Sequence, residues 1–569
     1  MIEAPSRVMS PGDPPGDGEP GGDPVPSRET IRPFATGRTL RFLFVMHYPG
    51  YLRYFDSVVR MLAARGHHVD IAFDSTEKQA EGAEALDGIA AGVELLGRMP
   101  VRVKVWAVVA RAVRGTIDYV RYLHPSFADA VYLRDRMRTA LPPVFGFLGR
   151  WTTASAPATR RLVAFFTTLE RAIPSSAVLE QLIRSRNPDA VLVTPLVTDR
   201  SPQVDVIKSA QALGIPAALC VASWDHLTTK GLIRVQPDLV SVWNDEQKAE
   251  AIEFHGARAD RIVVTGAQPF DRWFERVPTD RASFCRKIGL PPGNPYVLFV
   301  GSTASISAPE AELDFVRRWI QALRREPALA DVGILIRPHP YNAAHWRAVD
   351  FGDLPSVAIY PDRANPVNES DRQDYFDSLH HSETVVGVNT TAMIEAAIVG
   401  RTVHSVLMEE FRDTQAGTLH FQYLLSENGG FLRVAASLSE HAAQVVETIR
   451  SPDIGRAACG RFVAAFIRPR GLEVPTTPIL VDALERLAAS GPRAPARTPV
   501  WAYPVRVALY ATGWLAVHAN PTRVGRRARK KVGVARQRLR RVVRRVRKLR
   551  RPATARRTES SDIPEPKVH

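Results

Sequence analysis

Two stretches in the second half of this 569-residue chain narrow its fold more than any other feature. Val332-Gly333-Ile334-Leu335-Ile336 runs into Arg337-Pro338-His339-Pro340. Val385-Val386-Gly387-Val388 runs into Asn389-Thr390-Thr391, and then Ala392 to Val399 continues apolar except for Glu395 and ends at Gly400. A short run that is apolar at every position suits a strand buried on both faces, as in parallel sheets. In open α/β sheets ligands bind beyond the carboxyl ends of the strands. One of these turns offers an imidazole beside a guanidinium. The other offers hydroxyls and backbone N–H groups at a helix start, which suits phosphate. Together they imply a protein that holds a nucleotide diphosphate.

The chain is too long for one hydrophobic core, so two domains with extensions are expected. Cys220, Cys285 and Cys459 are far apart and match no metal spacing, which points to a reducing compartment without a disulfide framework. No signal peptide and no stretch of about 18–20 uncharged apolar residues is visible. The net charge of +16 is a local property: residues 523–557 hold 18 Arg and Lys and no acid, and without them the body carries −2.

Residues 1–36, rich in Pro, Gly and Asp, read as disordered. Residues 37–280 read as an α/β domain with strands near 40–46, 68–73, 190–193, 217–221, 239–242 and 262–264. A helical insertion occupies about 98–185. A second α/β domain spans residues 281–455; a Pro/Gly hinge at 290–295 precedes its first strand, 296–300, and further strands are expected at 332–336, 357–360, 384–388 and 402–406. Residues 456–490 read as helices packing back on the domains. Residues 500–569 combine an apolar-aromatic stretch with the polybasic tail. The fold class expected is α/β: two Rossmann-like domains facing a cleft. A full G-x-G-x-x-G is absent, so the dinucleotide fingerprint is not met.

His339 is the leading catalytic candidate, because two prolines stiffen the backbone around it and an imidazole there can donate to a phosphate oxygen or protonate a leaving group. The alternative is a strand-end histidine bonded to a carbonyl. Arg337, Asn389, Thr390 and Thr391 are candidate phosphate ligands, with a plain helix cap as the alternative for Asn389 and Thr390. Glu395, one helical turn on, is a candidate ribose ligand. Ser302 and Thr303, after the 296–300 strand, form a further candidate phosphate turn. In the first domain His47, Asp225 and His226 are rival general bases toward an acceptor hydroxyl, and Lys230 suits an anion. Residues 266–271 form a third loop near the hinge. Glu409, Arg412, Gln415, Thr418 and His420 are read as a segment closing over a sugar, or as a plain surface loop.

With the strand ending Arg337-Pro338-His339-Pro340 and the turn Asn389-Thr390-Thr391 followed by Glu395 and Gly400, the two-domain pattern resembles the GT-B glycosyltransferases. Within them it looks most like bacterial capsule polysaccharide and CDP-glycerol glycerophosphotransferase-like proteins. The resemblance spans about residues 38–490. It implies a nucleotide-sugar or CDP-linked donor whose phosphates sit at His339, Thr390 and Thr391, and a glycan or lipid-linked acceptor. Many retaining members carry a second glutamate eight residues after the first. Val403 stands there, which argues against the retaining form. No Asp-x-Asp lies at a suitable strand end, so no obligatory metal is expected. The stretch 501–557 is expected to meet an anionic membrane surface in preference to nucleic acid, which places the chain in the cytoplasm at the inner face of the plasma membrane. The alternatives are a catalytically inactive GT-B-like scaffold and a UDP-sugar 2-epimerase-like enzyme.

Overall fold

The computed structural model describes residues 37–75, 91–347, 349–352, 354–361 and 368–518. The N-terminal segment 1–36 and the polybasic run 523–557 lie outside the described residues.

The first sheet has seven parallel strands: β1 Arg41–Met46, β2 His68–Phe73, β3 Val93–Arg98, β4 Ala190–Thr194, β5 Ala217–Cys220, β6 Leu239–Val242 and β7 Ile262–Val264. Their spatial order is β3-β2-β1-β4-β5-β6-β7. The second sheet has six: β8 Tyr296–Val300, β9 Gly333–Arg337, β10 Val357–Ile359, β11 Thr384–Gly387, β12 Thr402–Val406 and β13 Leu432–Ala435, in the order β10-β9-β8-β11-β12-β13. Each sheet starts in its middle, steps twice to one side, then returns to the other. The strand order therefore reverses between β1 and β4 and again between β8 and β11, the positions where such sheets open a crevice.

Alternation along the strands fills both faces. Leu43 and Val45 join one cluster and Phe42, Phe44 and Met46 the opposite one. In the second sheet Val297 and Phe299 face one side, Tyr296, Leu298 and Val300 the other. β3 and β13 are strands that apolar runs do not reveal. β3 is an edge strand whose side chains are half-buried or exposed, and β13 is four residues long with Arg433 in it. The insertion is a set of helices at Lys104–Arg121, Val131–Arg138, Ala156–Ala172 and Ala177–Arg186. The expected helical insertion is interrupted between Arg121 and Val131, where Pro125 removes a backbone donor. Buried Arg114 ties the insertion to the helix Gln203–Leu213 that follows β4, donating to Glu170 (2.9 Å) of the insertion and to Asp205 (2.7 Å).

The helix Thr476–Ala489 returns to the first domain, where Leu480, Leu484 and Leu487 share a core with Phe55 and Leu62 of the helix Leu52–Ala64. Buried Asp271 anchors its start by accepting from the N–H groups of Thr476 (3.0 Å) and Thr477 (2.7 Å), and it pairs with Arg468 (3.1 Å). Gly266 lies in this crossing with φ +87°, and a Cβ on it would stand 2.4 Å from Thr476 Cγ2. The helix Ala502–His518 packs on Lys104–Arg121, with Trp106 against Tyr510 and Arg506 donating to the Ala172 carbonyl (2.7 Å). Its outer face leaves Tyr503, Val507, Trp514 and Leu515 exposed. Among the described residues no single helix is long and apolar enough to cross a membrane.

Candidate functional site

A cavity of about 310 Å³ lies between the two sheets' carboxyl ends. The second domain walls it with Gly301 after β8, Arg337 to Pro340 after β9, and Thr390 to Ala392 after β11. The first domain contributes Arg53 and Tyr54 from Leu52–Ala64, together with Ser223 and Gln268. Arg272, Trp273 and Arg276 close the hinge side.

The turn after β8 must pass very close to the turn after β9. A Cβ on Gly301 would lie 2.7 Å from the His339 backbone nitrogen, so glycine lets the two turns share one wall. His339 is therefore at the cavity, its Nδ1 accepting from the Tyr341 N–H (3.2 Å). Arg337 is buried beneath it, donating to Ser378 Oγ (2.9 Å) and lying 4.6 Å over the Tyr375 ring. Thr390 precedes the helix Thr391–Ile398 in an extended conformation, yet its hydroxyl makes no capping bond. The simple cap reading thus fails for Thr390, and Thr390 lines the cavity with the first residues of the helix. Thr391 Oγ1 accepts from Trp224 Nε1 across the domains (3.2 Å).

Glu395 lines the same wall and accepts a hydrogen bond from the Tyr375 hydroxyl. Burial pushes its carboxyl up to about 7 against the opposing pull of Tyr375, Arg53 and Arg337. One oxygen of the expected ribose ligand is thus already engaged by protein.

Three other candidates sit elsewhere. Asn389 is buried and fastens the loop behind the turn, donating to the Thr414 carbonyl (2.8 Å) and reaching His420 Nε2 (3.2 Å). Ser302 is fully buried, its N–H donating to Glu312 (2.6 Å). Thr303 bonds Ser305 (2.7 Å). None of these side chains lines the cavity, because a strand-end turn points only some residues outward and uses the rest to hold itself. Gln415, Thr418 and His420 are likewise buried, while Glu409 and Arg412 pair with each other on the surface (3.0 Å).

In the first domain, His47 Nδ1 bonds Asp74 Oδ1 at 2.6 Å. Asp74 is buried, and burial raises its carboxyl against the pull of His47. Asp225 is committed inside its own loop, with Oδ1 on Ser223 Oγ (2.5 Å) and Oδ2 on Thr229 Oγ1 (2.9 Å). Burial alone would raise it, but His226, Lys230, His420 and Ser223 reverse the sign and hold it below the usual carboxylate range. A carboxylate so stabilised and so occupied is a loop organiser and a poor base. His226 is buried beside Tyr51, and burial pushes it down to about 4, so it is neutral at pH 7. The loop it sits on is clamped from the insertion: Arg121 donates to the carbonyls of Leu227, Lys230 (2.8 Å) and Gly231 (2.9 Å).

The turns of the two domains meet. Tyr48, next to His47, hydrogen-bonds Tyr341, two residues beyond His339. Sequence reasoning singled out both histidines but missed Asp74, Tyr375 and the arginines Arg53, Arg272, Arg276 and Arg372. Asp74 could have been found, since it follows β2 as His47 follows β1 in the adjacent strand. Arg372 and Tyr375 are three apart on the helix Glu369–His380 and so share a face. Nothing in the local sequence marks Arg272 or Arg276. Among the described residues no group of three or more His, Cys, Asp or Glu is placed to hold a metal ion.

Two Rossmann-like domains with a cavity between their carboxyl edges, and a C-terminal helix returning to the first, constitute a GT-B-like α/β architecture. No family model matches the chain. A stretch of 86 residues, 15% of the chain, is 37% identical to the D-inositol 3-phosphate glycosyltransferase of Nocardia farcinica and spans 18% of that protein's length. Solved structures similar to it include a UDP-GlcNAc 2-epimerase from Methanocaldococcus jannaschii (TM-score 0.46, 11% identity, 79% of this chain and 100% of that one). A glycosyltransferase from Rickettsia africae (TM-score 0.46, 12% identity, 79% and 99%) is another. A third is WaaG, a glycosyltransferase involved in lipopolysaccharide biosynthesis (TM-score 0.41, 12% identity, 78% and 99%).

Proposed function

We propose that this chain is a glycosyltransferase-like enzyme that moves a group from a nucleotide-diphosphate donor to a surface-polysaccharide or lipid-linked acceptor. The observation that carries this reading is the cavity wall formed by Arg337, His339, Thr390 and Thr391 at the reversal point of the second sheet. The short sequence match to a glycosyltransferase supports the same direction.

In this reading the donor's phosphates lie against the N-terminus of Thr391–Ile398, the Thr390 hydroxyl and His339. The acceptor hydroxyl approaches from the first domain. Its oxygen attacks the carbon bonded to the donor phosphate, and that carbon–oxygen bond breaks. The electron pair leaves on the phosphate oxygen, where His339 and the helix N–H groups stabilise it. His47 takes the acceptor proton, and Asp74 stabilises the imidazolium so formed. If the transferred group is a phosphoglycerol, the attack falls on phosphorus and a nucleoside monophosphate leaves.

The exposed aromatic face of Ala502–His518 belongs to the proposal as a surface for anionic lipid, with the basic run that follows it in sequence. The test has two parts. Purified protein is given UDP-, GDP-, CDP- and dTDP-linked donors with glycan and lipid-linked acceptors, and His339→Ala is expected to lower nucleotide release by about 10²–10³-fold while the melting temperature holds. Silence with every donor sinks the enzyme reading in favour of a binding scaffold, and sugar inversion without an acceptor would indicate an epimerase. Co-sedimentation with anionic vesicles is expected to fall in a chain ending at His518. Retention by DNA alone refutes the membrane part.

A further inference from the structure

The cavity holds more positive charge than a nucleotide diphosphate uses. Arg337, His339 and the helix start of Thr391–Ile398 occupy the second-domain wall. Arg272, Arg276 and Arg372 line the same cavity from the hinge segment and from the helix Glu369–His380. Their protein partners are few and shared. Glu369, 69% exposed, serves both Arg276 (2.7 Å) and Arg372 (3.8 Å). Asp56 is divided between Arg272 (2.5 Å) and Arg60 (2.7 Å). Gln373 Oε1 accepts from Arg276 (2.8 Å), which fixes that guanidinium at the cavity wall. Gathering like charges at short range costs free energy unless an anion joins them. Guanidinium forks match the paired oxygens of phosphate and carboxylate.

We infer that the hinge side of the cleft is a second anion site, in which Arg272, Arg276 and Arg372 bind a phosphate or carboxylate carried by the acceptor. The assignment rests on the donor reading for which substrate brings the anion, though not for the site itself. Arg272 and Arg276 leave the first domain just after β7, and Arg372 reaches them from the second. An acceptor bound there is gripped by both domains, so its binding favours the closed cleft and brings its hydroxyl toward His47.

The test uses the full-length chain and inorganic phosphate as the probe. Calorimetry is run with phosphate alone and with phosphate after saturation by whichever of UDP, CDP, GDP or dTDP binds most tightly. Phosphate is expected to bind in both cases. The double substitution Arg276→Ala, Arg372→Ala should weaken phosphate at least tenfold and leave nucleotide affinity within twofold. Arg276→Lys with Arg372→Lys should fall between, since charge remains and the fork is lost. Competition between phosphate and nucleotide for one site overturns the proposal, as does phosphate binding that ignores the double variant or no binding at all. If no nucleotide binds but phosphate still depends on the arginines, the donor reading fails and the anion site stands. A further arm compares UDP-glucuronate with UDP-glucose: a preference for the glucuronate that vanishes in the double variant places the anion on the donor and overturns the acceptor assignment.

Discussion

The two sheets share a topology, yet their reversal points are filled in opposite ways. Between β1 and β4 the crevice is plugged. Leu196 and Val197 follow β4 and are fully buried, and Gln203 ties the turn by accepting from the Leu196 N–H (2.8 Å) and donating to the Thr194 carbonyl (2.7 Å). Between β8 and β11 the crevice is open: Gly301 contributes no side chain, and Thr390, whose hydroxyl makes no capping bond, lines the cavity. Topology nominates two ligand sites, and side-chain volume selects one. The plugged crevice is left with a buried acid beneath an imidazole, an arrangement suited to moving a proton. The open one is left with donors suited to holding phosphate.

The comparison breaks first if the His47–Asp74 pair is idle. His47→Ala and Asp74→Asn are each expected to lower the transfer rate by about 10²–10⁴-fold with nucleotide affinity unchanged. The double variant should cost little more than either single one, because both act on one proton. For Asp74→Asn, loss in KM with kcat intact would mean a packing role only. Gly301→Ala probes the open crevice. A Cβ 2.7 Å from the His339 nitrogen must push the two turns apart. Overpacking of this kind costs about 1–3 kcal/mol, and nucleotide affinity should fall about tenfold. Unchanged affinity, measured by calorimetry, would show that the two turns need not share a wall. Thr390→Val is milder: it removes one hydroxyl from the phosphate wall, about 1 kcal/mol and a few-fold in affinity.

Much of this was legible in the chain. The apolar runs at β8, β9 and β11 marked a two-sided parallel sheet, and His339 and Thr390 were found at its carboxyl edge because a strand's end is visible where apolar residues stop. What lay hidden was direction. Asn389, Ser302 and Asp225 stand beside cavity residues in sequence and point the other way, into bonds with segments 25 residues on for Asn389, 87 for Ser302 and 4 for Asp225. Spacing alone does not say which side of a turn faces the crevice. The arginines of the hinge were illegible for a different reason. They come from two segments about 100 residues apart in the chain, and only the closing of one domain on the other makes them a cluster.

The smallest effect sharpens the comparison from behind the turns. Each reversal point has a buried acid beneath it: Asp74 under His47, and Glu312 under Gly301 and Ser302. Asp74 has an imidazole partner. Glu312 receives the Ser302 N–H (2.6 Å). Burial pushes the Glu312 carboxyl up to about 8 from an ordinary value of 4.5, against the opposing hydrogen bonds of Ser302 and Trp346. The folded chain therefore keeps a proton that the unfolded chain releases. Stability from this group is fully present below about pH 4.5 and is lost as pH rises toward about 8. Glu312→Gln imitates the neutral acid at every pH and can still accept from Ser302. Its melting temperature should match the parent near pH 5, exceed it slightly near pH 8, and fall less steeply between. Some slope must remain, because Glu250 (about 8) and Glu395 (about 7) are shifted in the same direction by burial. An unchanged slope would mean that Glu312 is ionised in the folded chain.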